Sequence, residues 1–139
     1  MKRVFTILVA VFLLTAVQGC AQQYNASVEF IWTAPFDDAN DSTSGPCSQY
    51  DLRYGTDSAT VANWNTATEI IGEPLPGAPG TTETFVKSMN LQYNTVYYFA
   101  IKAADEVPNW SPISNVIKVT TPQEQLPPGV IMNLKVELK

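Results

Sequence analysis

The residues with chemistry to offer are acids. Asp37 with Asp38, and Asp105 with Glu106, form two neighbouring pairs, and Asp41 follows the first. Paired carboxylates do two kinds of work. In glycoside hydrolysis one protonates the leaving group while the other attacks or activates water. Gathered oxygens also hold a hard cation such as calcium. The spacing departs from a full calcium-loop pattern, and the same side chains cap turns and keep loop tips soluble. Calcium ligation by Asp37, Asp38, Asp41, Asp105 and Glu106 is therefore an expectation that stands beside turn capping. The chain has no histidine, which excludes histidine-based triads and histidine zinc sites. A single cysteine, Cys47, follows the N-terminal region, too few thiols for a cysteine metal cluster.

The elements that must position these residues begin after a leader. Lys2 and Arg3 precede an apolar run over residues 4–17, with small residues Gly19 and Ala21 flanking Cys20. This is the pattern of a secretory signal peptide over residues 1–19. A bilayer span needs about 20 apolar residues, so the run is too short to serve as one. Its end, Val17, Gln18, Gly19, Cys20, resembles the lipobox of bacterial lipoproteins. That resemblance implies acylation of Cys20 and a lipid anchor in the cell envelope. Gln18 departs from the small residue usual there, and ordinary cleavage after Ala21 is the alternative. With Cys20 acylated or removed, Cys47 is left over. It is expected to be a tolerated, partly buried thiol, with an intermolecular disulfide or a reactive thiol as the alternative, because no base stands near it in sequence to lower its pKa. Loss of residues 1–19 takes Lys2 and Arg3 with it, leaving 6 basic against 13 acidic residues and a net charge of −7. Such a chain repels nucleic acid and anionic lipid surfaces, so no nucleic-acid partner is expected.

Beyond the leader the pattern is that of strands. Val28, Phe30 and Trp32 alternate with Ser27, Glu29 and Ile31, and Tyr50, Leu52 and Tyr54 alternate with Asp51 and Arg53. A longer run over residues 95–104 contains Val96, Tyr97, Tyr98, Phe99 and Ile101, and Val116, Ile117 and Val119 mark a last strand. Turn-rich stretches over residues 37–46 and 72–82 separate them. Residues 58–64 read as one helical turn capped by Ser58. Short strands punctuated in this way predict an all-β antiparallel β-sandwich in one domain. The expected core is Val28, Phe30, Trp32, Tyr50, Leu52 and Tyr97.

Particular residues make the pattern more specific. Trp32, Thr33, Ala34 and Pro35 close one strand. Leu91, Thr95 and Tyr97 lead into another, and Ala103, Ala104 and Asp105 precede Asn109, Trp110, Ser111, Pro112, Ser114 and Asn115. Over residues 26–121 this resembles a fibronectin type III module of the bacterial extracellular type. The resemblance implies an immunoglobulin-like sandwich, with Trp32 in the core and Tyr97 at its corner. It also implies that the loops carrying Asp37, Asp38, Asp41, Asp105 and Glu106 share one end.

One departure concerns the first strand, strand A, for which residues 20–25 leave no room if they serve as anchor and linker. Residues 127–136, beginning Pro127, Pro128, Gly129, look like that strand placed after the domain, beyond a linker over residues 122–128 that reaches at most about 25 Å. Self-association through residues 126–139 is one expectation, and a fragment of a longer modular array is another. The function expected is a non-catalytic, secreted or lipid-anchored interaction module that meets a protein or glycan at the cell surface. An accessory carbohydrate-binding module of a larger exoenzyme is the alternative, with Trp110 as its exposed aromatic and Trp64 and Tyr93 as further stacking faces.

Overall fold

The computed structural model describes residues 22–39 and 41–139. The expected signal segment, the acylation site Cys20 and Asn40 lie outside the described residues. The chain runs β1 (Gln23–Thr33), β2 (Gln49–Gly55), α1 (Ser58–Ala62), a 3-10 turn (Trp64–Thr66), β3 (Thr68–Ile70), β4 (Thr82–Gln92), β5 (Val96–Ala104) and β6 (Ile117–Thr120). These strands form two antiparallel sheets, one of β1 and β4, the other ordered β3-β2-β5-β6. The all-β sandwich expected from the alternation is the architecture found.

Each sheet has an apolar face, and burial of those faces holds the two together. Ala26, Met89 and Leu91 from the two-stranded sheet meet Leu52, Ile70, Tyr97 and Phe99 from the other. Across the gap the Phe30 ring stands edge-on to Phe99 at 5.5 Å between centroids. β5 is the most enclosed strand: Tyr97 and Phe99 turn into the sandwich, and Ala100, Ala103 and Ala104 are buried as well. Val61 of α1, with no exposed surface, packs where the short helix crosses β2 and β5.

The end of the sandwich where β4 turns into β5 is tied by side chains. The Tyr97 hydroxyl accepts from the Gln92 N–H at 3.0 Å. Thr121 Oγ1 donates to the Gln92 carbonyl at 2.6 Å and accepts from the Thr95 N–H at 2.9 Å. Asn94 occupies the left-handed region at φ 48°, which asparagine tolerates better than most residues, and its N–H donates to the Pro122 carbonyl at 2.8 Å. The chain is thereby fixed as far as residue 122. Beyond it, residues 123–139 form no helix or strand.

Several expectations are corrected. β1 begins at Gln23, so half of the expected linker over residues 20–25 is strand; Tyr24 pairs with Leu91 and lies on Tyr93 at 5.2 Å. β3 and β4 were not anticipated as strands. In β4 the inward series Phe85, Lys87, Met89, Leu91 is broken by a lysine, whose stem lies along the sheet while its Nζ donates to the Ile71 carbonyl at 2.6 Å. Asp57, not Ser58, caps α1, accepting from the Ala59 N–H at 3.0 Å. Of the expected core, Leu52 and Tyr97 are buried, while Val28 and Phe30 are only partly buried against the cluster. Trp32 and Tyr50 are also half-buried and meet edge-on at 5.1 Å. The reason is topological: among the described residues β1 has a partner on one edge only, so the interior is open along the other.

Two outcomes follow for stability. Leu52→Ala should cost about 2–5 kcal/mol, and Val28→Ala, on the open side, clearly less. Tyr97→Phe should cost about 0.5–1.5 kcal/mol by removing the part-buried bond from the Gln92 N–H. Urea unfolding of the three variants checks both.

Candidate functional site

The acidic residues are placed by two loops that leave the same end of the sandwich. After β1, Phe36 bridges Pro46, the Asp37 N–H donates to the Gly45 carbonyl at 3.0 Å and the Asp38 N–H to Ser44 Oγ at 2.9 Å. Asp41 closes a small turn, its Oδ1 accepting from the Thr43 N–H at 2.8 Å and from its hydroxyl at 2.6 Å. After β5, Asp105 does the same work on a larger scale. Its Oδ1 accepts from the N–H groups of Val107 at 3.0 Å and Asn109 at 2.8 Å, and its Oδ2 from Asn109 Nδ2 at 2.6 Å. A bond from the Ser48 N–H to the Ala104 carbonyl, 2.7 Å, joins the two loops.

The charges respond to this arrangement. Asp37 is held above its ordinary value, first by desolvation and then by the nearby charges of Glu106, Asp38 and Asp105. Its Oδ1 is enclosed without a hydrogen-bond partner. Asp105 moves the other way, held down by its bonds from Asn109 and Val107, and Asp41 is held down by Thr43. The structure thus brings Asp37, Asp38, Asp105 and Glu106 into one neighbourhood, while the oxygens of Asp41 and Asp105 are engaged in turn capping. Among the described residues, no three acidic or thiol side chains converge as a set that could hold a metal ion.

The aromatic residues do not share a face. Trp110 stands at the acidic end, bridged to Ala104 and 44 % exposed. Tyr93 lies at the opposite end against Tyr24. Trp64 lies over the outer face of the larger sheet with cations on its ring, Arg53 at 5.3 Å and Lys102 at 4.8 Å from the centroid. Its Nε1 donates to Asp51 Oδ2 at 2.8 Å, Asp51 pairs with Arg53 Nε at 2.8 Å, and Arg53 Nη1 donates to the Trp64 carbonyl at 2.9 Å. This network was missed at the level of sequence. Its legible part was Asp51 and Arg53 at alternate positions on the outward face of β2; nothing local to them points to Trp64.

Cys47 is 6 % exposed and has no disulfide partner among the described residues; desolvation pushes its thiol above the ordinary range. Beside it, the Tyr50 hydroxyl is pushed far up by burial. Reaching the Tyr50 and Trp32 rings, a groove of about 630 Å3 opens between β5, β6 and the edge of β1 that has no partner among the described residues, floored by Val28, Phe30, Leu52, Phe99 and Val119. No family model, no curated protein and no solved structure matches this chain.

The opposed shifts of the two aspartates make a test by pH. Asp105 has a depressed folded-state pKa, so it stabilises the fold above its ordinary value and loses that contribution as pH falls below about 4. Asp37 has a raised one, so its charge disfavours the fold at neutral pH, and that penalty fades as pH falls through its folded pKa toward the ordinary value. At pH 7, Asp105→Ala should therefore lower the melting temperature and Asp37→Asn raise it. The Asp37→Asn difference should shrink as the melts are repeated toward about pH 4, and the Asp105→Ala difference should persist to that pH and shrink only below it.

Proposed function

We propose that this chain is a non-catalytic interaction module of fibronectin type III type, displayed on the bacterial cell envelope by a lipid on Cys20. The observation that carries the fold part of the reading is the strand order. With β1 and β4 in one sheet and β3-β2-β5-β6 in the other, the connections match those of an immunoglobulin-like sandwich that lacks its first strand. The Tyr97 hydroxyl bonded back to the Gln92 backbone supports it further, since a tyrosine at the start of the sixth strand makes this corner in such sandwiches. The envelope part rests on Lys2, Arg3, the apolar run over residues 4–17 and Cys20. No helix among the described residues is long and apolar enough to cross a membrane.

Interaction, not turnover, is the reading favoured by the acidic end. Its charged groups lie on loops that a rigid sandwich presents outward, and two of its carboxylates are engaged in holding those loops. Trp110, exposed beside them, supports a glycan as the partner over a nucleic acid, which the net charge repels.

Membrane fractionation tests the anchor. The wild type is expected in the pellet, released by detergent, and Cys20→Ser in the soluble fraction; wild type found only in the culture medium would remove the anchor from this reading. Glycan-array binding that disappears in Trp110→Ala would establish the carbohydrate partner, and an unchanged array would direct the search to protein ligands.

A further inference from the structure

We infer that the open edge of β1 is a docking site for the C-terminal segment of a second copy of this chain. The inference rests on the observed sheets and groove and does not require the lipid anchor or the glycan.

The acceptor is defined first. β1 is 11 residues long and pairs with β4 on one edge, and among the described residues no strand lies beside the backbone N–H and C=O groups of its other edge. Such an edge is a template for another chain. The adjoining groove of about 630 Å3 exposes side chains that a completed sandwich would bury, including Val28, Phe30 and Trp32 of β1 and Ile117 and Val119 of β6. Ile117 and Val119 are 51 % and 44 % exposed.

The donor has the pattern this groove asks for. Val130, Met132, Leu134, Val136 and Leu138 occupy alternate positions, and Ile131, Asn133, Lys135, Glu137 and Lys139 hold the others, polar apart from Ile131. A period of two is that of a strand with one buried face. Yet these apolar residues are 78–99 % exposed and belong to no strand. One antiparallel register aligns both faces. With Lys135 opposite Glu29, Leu138 falls beside Ala26, Val136 beside Val28, Leu134 beside Phe30 and Met132 beside Trp32. Met132, Leu134, Val136 and Leu138 then each meet a residue on the inward face of β1, while Val130 falls beside Ala34, just past its end.

Direction selects the second copy. The bonds of Thr121 to Gln92 and Thr95 hold the chain at the end where β1 begins, since Gln23 pairs with Gln92. From there a tail joining its own β1 would run parallel to it, whereas every strand pair among the described residues is antiparallel. The linker over residues 122–128 reaches at most about 25 Å, against about 36 Å for the 11 residues of β1, which also disfavours the tail doubling back to run antiparallel along its own β1. Continuing away from the sandwich, the tail meets a second copy of the same orientation at the far end of its β1 and runs antiparallel along it. The contact is head-to-tail and does not close, so it builds chains of copies. Gln22 lies at the exit end, where its carbonyl accepts from the Tyr93 N–H. An acylated Cys20 would draw that end to a membrane, so the soluble Cys20→Ser protein is the form to test.

Light scattering after size exclusion over a concentration series is expected to show mass growing with concentration. Leu134→Glu, on the inward face of the tail, should weaken that growth about tenfold or more; Asn133→Glu, on the outward face, should leave it nearly unchanged. A synthetic peptide of residues 126–139 added to the Leu134→Glu protein should bind and raise its melting temperature. Mixing a Ser27→Cys copy with a Glu137→Cys copy should give, under mild oxidation, a disulfide between the two chains that neither gives with wild type. A monomer at every concentration that ignores the peptide overturns the proposal. So does a monomer in which Leu134→Glu lowers the melting temperature without altering mass, since the tail would then be filling its own edge.

Discussion

β5 is bonded on one side to β2 and on the other to β6, and its residues are buried toward both the sandwich interior and the helix side. Its inward rings, Tyr97 and Phe99, are the surface on which the two-stranded sheet is laid. β1 and β4 alone would be a hairpin-like pair without independent stability, since two strands bury too little apolar area in water. Their persistence as a sheet depends on Phe30 reaching Phe99 and on Leu91 and Met89 reaching the same cluster. The tie from Tyr97 to Gln92 fixes the end at which β4 hands over to β5, and with it the lateral position of one sheet on the other.

From that dependence comes the asymmetry of the molecule. One sheet has four strands and the other two, so the larger apolar face cannot be covered along its whole width. The uncovered strip is the groove beside β1. This explains why Trp32, Tyr50, Val28 and Phe30, all of them plausible core residues by type, are only partly enclosed. The acidic end has a separate logic. Asp37 and Glu106 are brought together because β1 ends and β5 ends at the same side of the sandwich. The fold thereby places like charges in proximity, while Asp105 and Asp41 offset the cost locally by capping their own turns.

Much of the architecture was legible in residue order. Alternation over residues 26–33 and 50–54 marked β1 and β2, and the aromatic run from Val96 marked β5. β4 escaped because Lys87 interrupts its inward series, and β3 escaped because three residues carry too little period to read. The shared end of the two acidic loops followed from the fold resemblance, not from the residues. The network of Asp51, Arg53, Trp64 and Lys102 needed coordinates. Its members come from β2, β5 and the turn after α1, and no spacing rule links them.

The sequence by itself determined the strand class, the two turn-rich breaks, the acidic surplus and the absence of histidine chemistry, because each is a property of residue type or of a local period of two. It also carried the alternating segment at 130–138, legible without any neighbour. Only the tertiary structure decided which strand edge lacks a partner, how far the inward residues of β1 are enclosed, and that the tail leaves at the end where β1 begins. Those are relations between segments far apart in the chain. They depend on sheet order and on the packing of one sheet on the other, neither of which a local pattern encodes.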